Sequence, residues 1–231
     1  MKKKLTFLGV AGVLLITAFI GGTLAAFNTT TQGNAGAGIA KITTKDIGVA
    51  FSGKMSEEEK ISTGILPGTT QQYDYTVSNK VTGSQAYDIY VKVTIYKAWA
   101  NEELDSSKVV LQGSDQHEYA KEDVVTDAAV GTIIDGWLIS YVDDEEIVLY
   151  YTKPLSKGES TTSFIDGIYF KEDMGNEYTD STLDLEYIVN AVQANQSEAA
   201  MAAEWGMYPL INGSGNITNV FETKSVRDSY K

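Results

Sequence analysis

Apolar and polar residues alternate through the middle of this chain. Over residues 87–96, Ile89, Val91, Val93 and Ile95 fall on one side, and Asp88, Tyr90, Lys92, Thr94 and Tyr96 on the other. This two-residue period predicts an amphipathic strand with one face buried. The same period recurs in Tyr73, Tyr75 and Val77, in Ile47, Val49 and Phe51, and in a last strand through Leu183, Leu185, Tyr187, Val189 and Ala191. Two further runs, 137–141 and 147–151, read as strands joined by an acidic hairpin at 142–146. Val109, Val110 and Leu111 suggest a short strand inside the otherwise irregular stretch 101–134, where 120–130 reads as helix or loop.

Turn residues punctuate the pattern. Leu66-Pro67-Gly68-Thr69-Thr70 combines a φ-fixing proline with a glycine that tolerates positive φ, so it predicts a turn into a strand. Thr82-Gly83-Ser84 predicts another. Residues 154–162 repeat the first arrangement, with a leucine, a glycine turn and a Thr-Thr pair leading to Phe164, Ile168 and Phe170. Strands at this spacing predict an all-β, antiparallel jelly roll or β-sandwich over residues 38–195, with short helical insertions. At 55–62, Ser56 and Glu59 stand at capping-box spacing, enough for one helical turn. Ser197 is placed to cap a short helix over 198–205, with Gly206 at its end. The rest of segment 196–231 is rich in Asn, Gly, Ser and Thr and reads as a loose tail on which Val220 and Phe221 could dock.

The N-terminus breaks the pattern. Lys2, Lys3 and Lys4 precede an apolar run from Leu5 to Ile20, shorter than the ~20 residues a spanning helix needs. This is the layout of a secretory signal peptide, expected over residues 1–26. Thr23 and Ala25 fit the small-x-small rule for a cut after Ala25; an uncleaved anchor is the other reading. Residues 27–37, FNTTTQGNAGA, have little to bury and read as a flexible arm whose threonines suit a strand if a sheet edge is offered.

Composition narrows the chemistry. The chain has 231 residues, 18 basic against 31 acidic, and three of the basic ones lie in the leader. Such a surface repels phosphate backbones, so no nucleic-acid partner is expected, and no stable membrane insertion once the leader is gone. Cysteine is absent, which excludes disulfides, thiol nucleophiles and thiolate metal sites, and a single histidine remains. His117-Glu118 lacks the second histidine of a zinc-protease helix, because Lys121 stands at that position. No Gly-x-Ser-x-Gly elbow is present. Asp143, Asp144, Glu145 and Glu146 lack the alternation and glycine of a calcium loop and read as a charged hairpin tip. Trp99, Trp137 and Trp205 read as core or rim rather than a sugar platform. No catalytic residue, metal or cofactor is expected.

The residues Gly21-Gly22-Thr23-Leu24-Ala25-Ala26-Phe27-Asn28 closely resemble the signal-peptide end of the TasA/camelysin family. The likeness continues through Leu66-Pro67-Gly68, the strand at 86–96, Gly136-Trp137, Lys153-Pro154-Leu155 and residues 158–162. It also includes Asn176-Glu177-Tyr178 and Ala191-Val192-Gln193-Ala194. It covers most of residues 1–195, but neither 101–134 nor the chain after Trp205. The resemblance implies export through a dedicated, ER-type signal peptidase, with the cut between Ala26 and Phe27 rather than after Ala25. It further implies a secreted, non-enzymatic jelly-roll subunit of extracellular biofilm-matrix fibres in a Gram-positive-type bacterium. Self-association, with accessory fibre proteins as possible partners, would follow from donation of an N-terminal strand. The expected donor is Phe27, Asn28, Thr29, Thr30 and Thr31, with Phe27 as an apolar anchor. A camelysin-like surface metalloendopeptidase and a carbohydrate-binding or adhesive sandwich are the alternatives.

Overall fold

The computed structural model describes residues 66–80, 87–178 and 181–231 in full, and before them the strands Thr29–Ala35, Gly38–Thr44 and Val49–Met55. The leader, the Ala26/Phe27 cut, Asn28, Ile47, the helical turn expected after Met55 and the turn at 82–84 lie outside the described residues. The fold is all-β, as the alternation predicts. Its strands are β1 (Thr29–Ala35), β2 (Gly38–Thr44), β3 (Val49–Met55), β4 (Thr69–Asn79), β5 (Ile89–Trp99), β6 (Val109–Gln112), β7 (Ile133–Ile134), β8 (Trp137–Val142), β9 (Glu146–Tyr151), β10 (Gly167–Phe170) and β11 (Leu183–Gln193). Helix α1 (Ser197–Glu204), strands β12 (Tyr208–Ile211) and β13 (Ile217–Phe221) and helix α2 (Lys224–Asp228) follow.

A seven-stranded sheet runs β1-β2-β11-β5-β9-β8-β7, and a four-stranded sheet runs β3-β4-β10-β6. Pairing is antiparallel except between β2 and β11, which lie parallel from Leu185↔Ala40 to Val189↔Thr44. This departs from the wholly antiparallel sheet expected. The two strands are far apart in sequence, so no tight turn dictates their relative direction. Side chains pointing inward from both sheets form one core: Val91, Val93, Ile95, Leu149, Tyr187 and Val189 from the large sheet meet Val77, Leu111, Ile168 and Phe170 from the small one. Aromatic rings cross it in contact, with Tyr75 5.2 Å from Tyr187, and Trp137 5.5 Å from Phe164 and 5.1 Å from Tyr151, measured between centroids. Trp99 and Trp137 are buried and Trp205 packs on Tyr150, so the three indoles form no shared platform.

Phe164 belongs to no strand. Residues 159–166 instead run irregularly beside β4, with Thr161 N–H donating to Val77 O and Phe164 N–H to Tyr75 O. The 101–134 segment is mostly loop with single 3₁₀ turns at Ser106–Lys108, Ser114–Gln116 and Lys121–Asp123.

The C-terminal segment corrects the expectation of a loose tail. Strands β12 and β13 form a hairpin that packs with α1 on the outer face of the large sheet. Met201, Ile217 and Val220 join Tyr90, Leu138, Tyr150 and Val192 in a second core, which makes a third layer. Ile217 N–H donates to Thr152 O at 2.8 Å, and the Tyr90 hydroxyl donates to Gly215 O at the hairpin turn. Ser197 is the first residue of α1 rather than its cap. Gln196 precedes it at φ +61° and makes no side-chain cap bond.

Candidate functional site: the open edges of the sandwich

A sheet edge carries backbone donors and acceptors that another chain can satisfy, so the state of each edge decides what the fold can bind. On one side of the sandwich the edges are short or covered. Strand β7 has two residues, and the chain beside it is fastened by Gly131 N–H to Thr218 O and Ile139 N–H to Thr132 O. Strand β6 is flanked by residues 117–119, through Gly113 N–H to His117 O and Tyr119 N–H to Leu111 O.

The other side is built wholly from the N-terminal quarter of the chain. There β1 closes the large sheet and β3 the small one, and among the described residues each pairs with one strand. β1 reads Thr-Thr-Thr-Gln-Gly-Asn-Ala, without the lysine, proline or acidic residue that commonly blunts an edge. It lies antiparallel to β2 in register Thr29↔Thr44, Thr30↔Thr43 and Thr31↔Ile42.

Of the expected donor residues, Thr29, Thr30 and Thr31 thus open β1, while Phe27 and Asn28 fall outside the described residues. Within the arm expected over 27–37, Thr29–Ala35 form strand β1, paired with β2 of the same chain. β-Branched threonines favour extended backbone, and a partner strand begins at Gly38, after two intervening residues.

The residues weighed for chemistry are directed to separate tasks. His117 Nε2 lies 3.0 Å from Asp123 Oδ2, which also accepts from Ala120 N–H. Ser114 Oγ donates to a different carboxylate, Asp135 Oδ2, at 2.9 Å. Among the described residues no group of three His, Cys, Asp or Glu side chains is placed to hold a metal. At the acidic hairpin tip Asp143 serves the turn: its Oδ1 accepts from Glu145 N–H at 2.8 Å and Glu146 N–H at 2.6 Å. Its Oδ2 accepts from the Tyr141 hydroxyl at 2.7 Å. Burial works against ionisation of Asp143, but these bonds outweigh it and hold the carboxyl below its ordinary range.

A buried cation on β5 escapes the sequence reading. Lys97 continues the inward series of β5 and is only 6% exposed. Its Nζ donates to Ser106 O at 3.0 Å and to Val109 O. Burial pushes its pKa down to about 8, an effect that Lys171 adds to and Asp144, Asp143 and Asp105 oppose. The signal was present, because residue 97 shares the parity of Ile89 to Ile95 and extends that strand by one more inward position.

No family model matches the chain, and no curated protein matches it. A solved structure of AvmM, described as catalysing macrocyclization in alchivemycin A biosynthesis, is similar at 12% identity and a TM-score of 0.31. The likeness covers 67% of this chain and 78% of that one. At that score it carries no argument about fold or activity. Among the described residues no helix is long and apolar enough to cross a membrane.

Proposed function

We propose that this chain is an exported structural subunit, a jelly-roll domain that joins others head to tail into extracellular fibres by exchanging its N-terminal strand. The observation that carries the reading is β1: an uncharged edge strand, joined among the described residues to a single neighbour, at the end of the chain that removal of a leader would free. Its sequence holds no Leu, Ile, Val or aromatic residue, so backbone hydrogen bonds are the main thing it can offer a sheet. Those bonds are the same whether β2 belongs to its own chain or to a neighbour. Exchange of an identical element costs little once the connection opens. Because the donor and the receiving strand occupy different ends of that contact, successive copies do not close on themselves and a filament results. The resemblance of residues 21–28 to the leader end of fibre-forming proteins supports the same reading. The carboxylate excess keeps the monomer soluble until assembly.

A cysteine-free chain makes the test clean. In a protein beginning at Phe27, Thr31→Cys with Ile42→Cys places two thiols on facing positions of the β1–β2 register. Oxidised, the pair locks β1 onto its own β2. Electron microscopy and sedimentation should show monomers, with filaments appearing after reduction. Filaments of equal length from the locked protein would end the proposal.

A further inference from the structure

The chain holds fourteen tyrosines, all within the described residues, and their surroundings differ sharply. Seven are buried, six are half-buried, and Tyr141 alone is exposed, at 45%. It stands on β8 beside the β8–β9 hairpin tip, where a register shift between Ile139 and Tyr141 breaks the alternation, so Tyr141 is exposed although Trp137 and Ile139 are buried. Its hydroxyl donates to Asp143 Oδ2 at 2.7 Å, and the other oxygen of that carboxylate is fixed by two backbone N–H groups. An ionised base is thus held against an accessible phenol.

This is what one-electron oxidation of a tyrosine needs. Loss of an electron makes the phenol a strong acid, so a proton acceptor already in hydrogen-bond contact removes the cost of forming the cationic radical. Tyr75, Tyr119 and Tyr150 lie in the opposite situation: burial favours their neutral phenols, and their rings are inaccessible to a second molecule. The bond to Asp143 also keeps the Tyr141 phenol protonated above its ordinary range, so the donor is present throughout the neutral region.

We propose that Tyr141 is an oxidative cross-linking site at which a peroxidase with hydrogen peroxide joins two copies of this chain through a dityrosine bond. In each copy Tyr141 gives one electron to the peroxidase haem oxidised by peroxide, and its hydroxyl proton passes to Asp143 Oδ2. The two phenoxyl radicals join at their ortho carbons, and the ring hydrogens at those carbons move to oxygen to restore both phenols. Two tyrosines and one hydrogen peroxide yield one carbon–carbon bond and two waters. The inference stands independently of strand exchange, since it requires only that two tips meet. Asp144, Glu145 and Glu146 of each tip repel their counterparts at low salt, and physiological ionic strength screens this beyond about 8 Å.

The experiment treats the chain beginning at Phe27 with a haem peroxidase and hydrogen peroxide at physiological ionic strength. It reads dityrosine fluorescence, covalent dimer on denaturing gels, and the cross-linked peptide by fragment mass spectrometry. Wild type should give dimer joined at Tyr141. Tyr141→Phe should lose at least tenfold of it. Asp143→Asn keeps the phenol exposed but removes the proton acceptor, and should lower the initial rate several-fold with the far-ultraviolet spectrum unchanged. Undiminished dimer from Tyr141→Phe, a link mapped to another tyrosine, or an Asp143→Asn rate equal to wild type would each overturn the assignment.

Discussion

At its C-terminal end the chain adds thickness to the seven-stranded sheet, whereas at its N-terminal end it adds width. Asn, Gly and Thr recur in both segments, in residues 29–35 and in 208–221. The difference lies in a few apolar positions. The C-terminal segment brings Met201, Ile217 and Val220 into contact with the large sheet and is buried by them. β1 brings none, and its place is set by main-chain pairing with β2. Layers held by side chains are permanent parts of a core, while a strand held by backbone bonds alone can change partners. Similar polar residues therefore accompany a fixed element at one end and, in the function proposed above, an exchangeable one at the other.

The largest expected effect comes from attacking the fixed end. Ile217 is fully buried between the hairpin and the sheet. Ile217→Ala removes three carbons and leaves a cavity where Tyr90, Leu138 and Tyr150 cannot easily close up. It should cost about 3–4 kcal/mol, read as a lower urea midpoint with an unchanged slope. A loss below ~1 kcal/mol would mean that the third layer is a loose attachment, and the contrast between the ends would vanish.

A second change probes the sheet both ends share. The Lys97 pKa is pushed down to about 8 from the ordinary 10.5 by burial. Between those two values Lys97 binds more protons in the unfolded chain than in the folded one, so its contribution to stability rises with pH across that window. The deficit is fully present below pH ~8. The deficit is about 3 kcal/mol, and Lys97→Met should remove the rise, checked by urea unfolding of both proteins from pH 7.5 to 9.5, below the range in which tyrosines of the unfolded chain ionise. If the two ends are independent of the centre, Lys97→Met and Ile217→Ala should add when combined. A wild-type curve parallel to the Lys97→Met curve would show that the ammonium is not the source of the dependence.

How much of this was legible in the sequence depends on where each residue's energy comes from. The alternation over 89–96 made β5 plain, because burial of one face is written residue by residue. Lys97 was hidden in the same pattern: a long side chain can reach the Ser106 and Val109 carbonyls from an inward position that period alone assigns to an apolar residue. Strand β13 was obscured by Asn219, which is buried because its amide donates to Val125 O and Ala128 O in a distant loop. No local window contains that partner. The irregular 101–134 stretch was unreadable for the same reason: the Ser106, Lys108, Val125 and Ala128 carbonyls accept from Lys97, Lys171 and Asn219, and Gly131 N–H donates to Thr218 O. As for the candidate site, the threonine run marked β1 as able to form a strand, but nothing local could say that β2 would pair with it and then lie parallel to β11.

The smallest effect should come from the exchangeable end, and its smallness is the point. Deleting residues 27–35 removes main-chain bonds at a sheet edge and no large apolar side chain from β1 itself. Water replaces most of those bonds, and a two-stranded edge ribbon contributes little by itself. The loss should stay under about 1 kcal/mol, and the deleted protein should melt cooperatively close to wild type. Hydrogen exchange gives a finer reading of the intact chain. Amides of Thr29–Ala35 should exchange through a local opening that leaves β11 and β5 protected, because those strands are released only by global unfolding. If the β1 amides were instead protected as long as those of β11, or if the deletion cost as much as Ile217→Ala, the N-terminal strand would be as integral to the fold as the third layer. It could not then leave its own domain at an accessible cost, and a head-to-tail fibre would have to be built from some other edge.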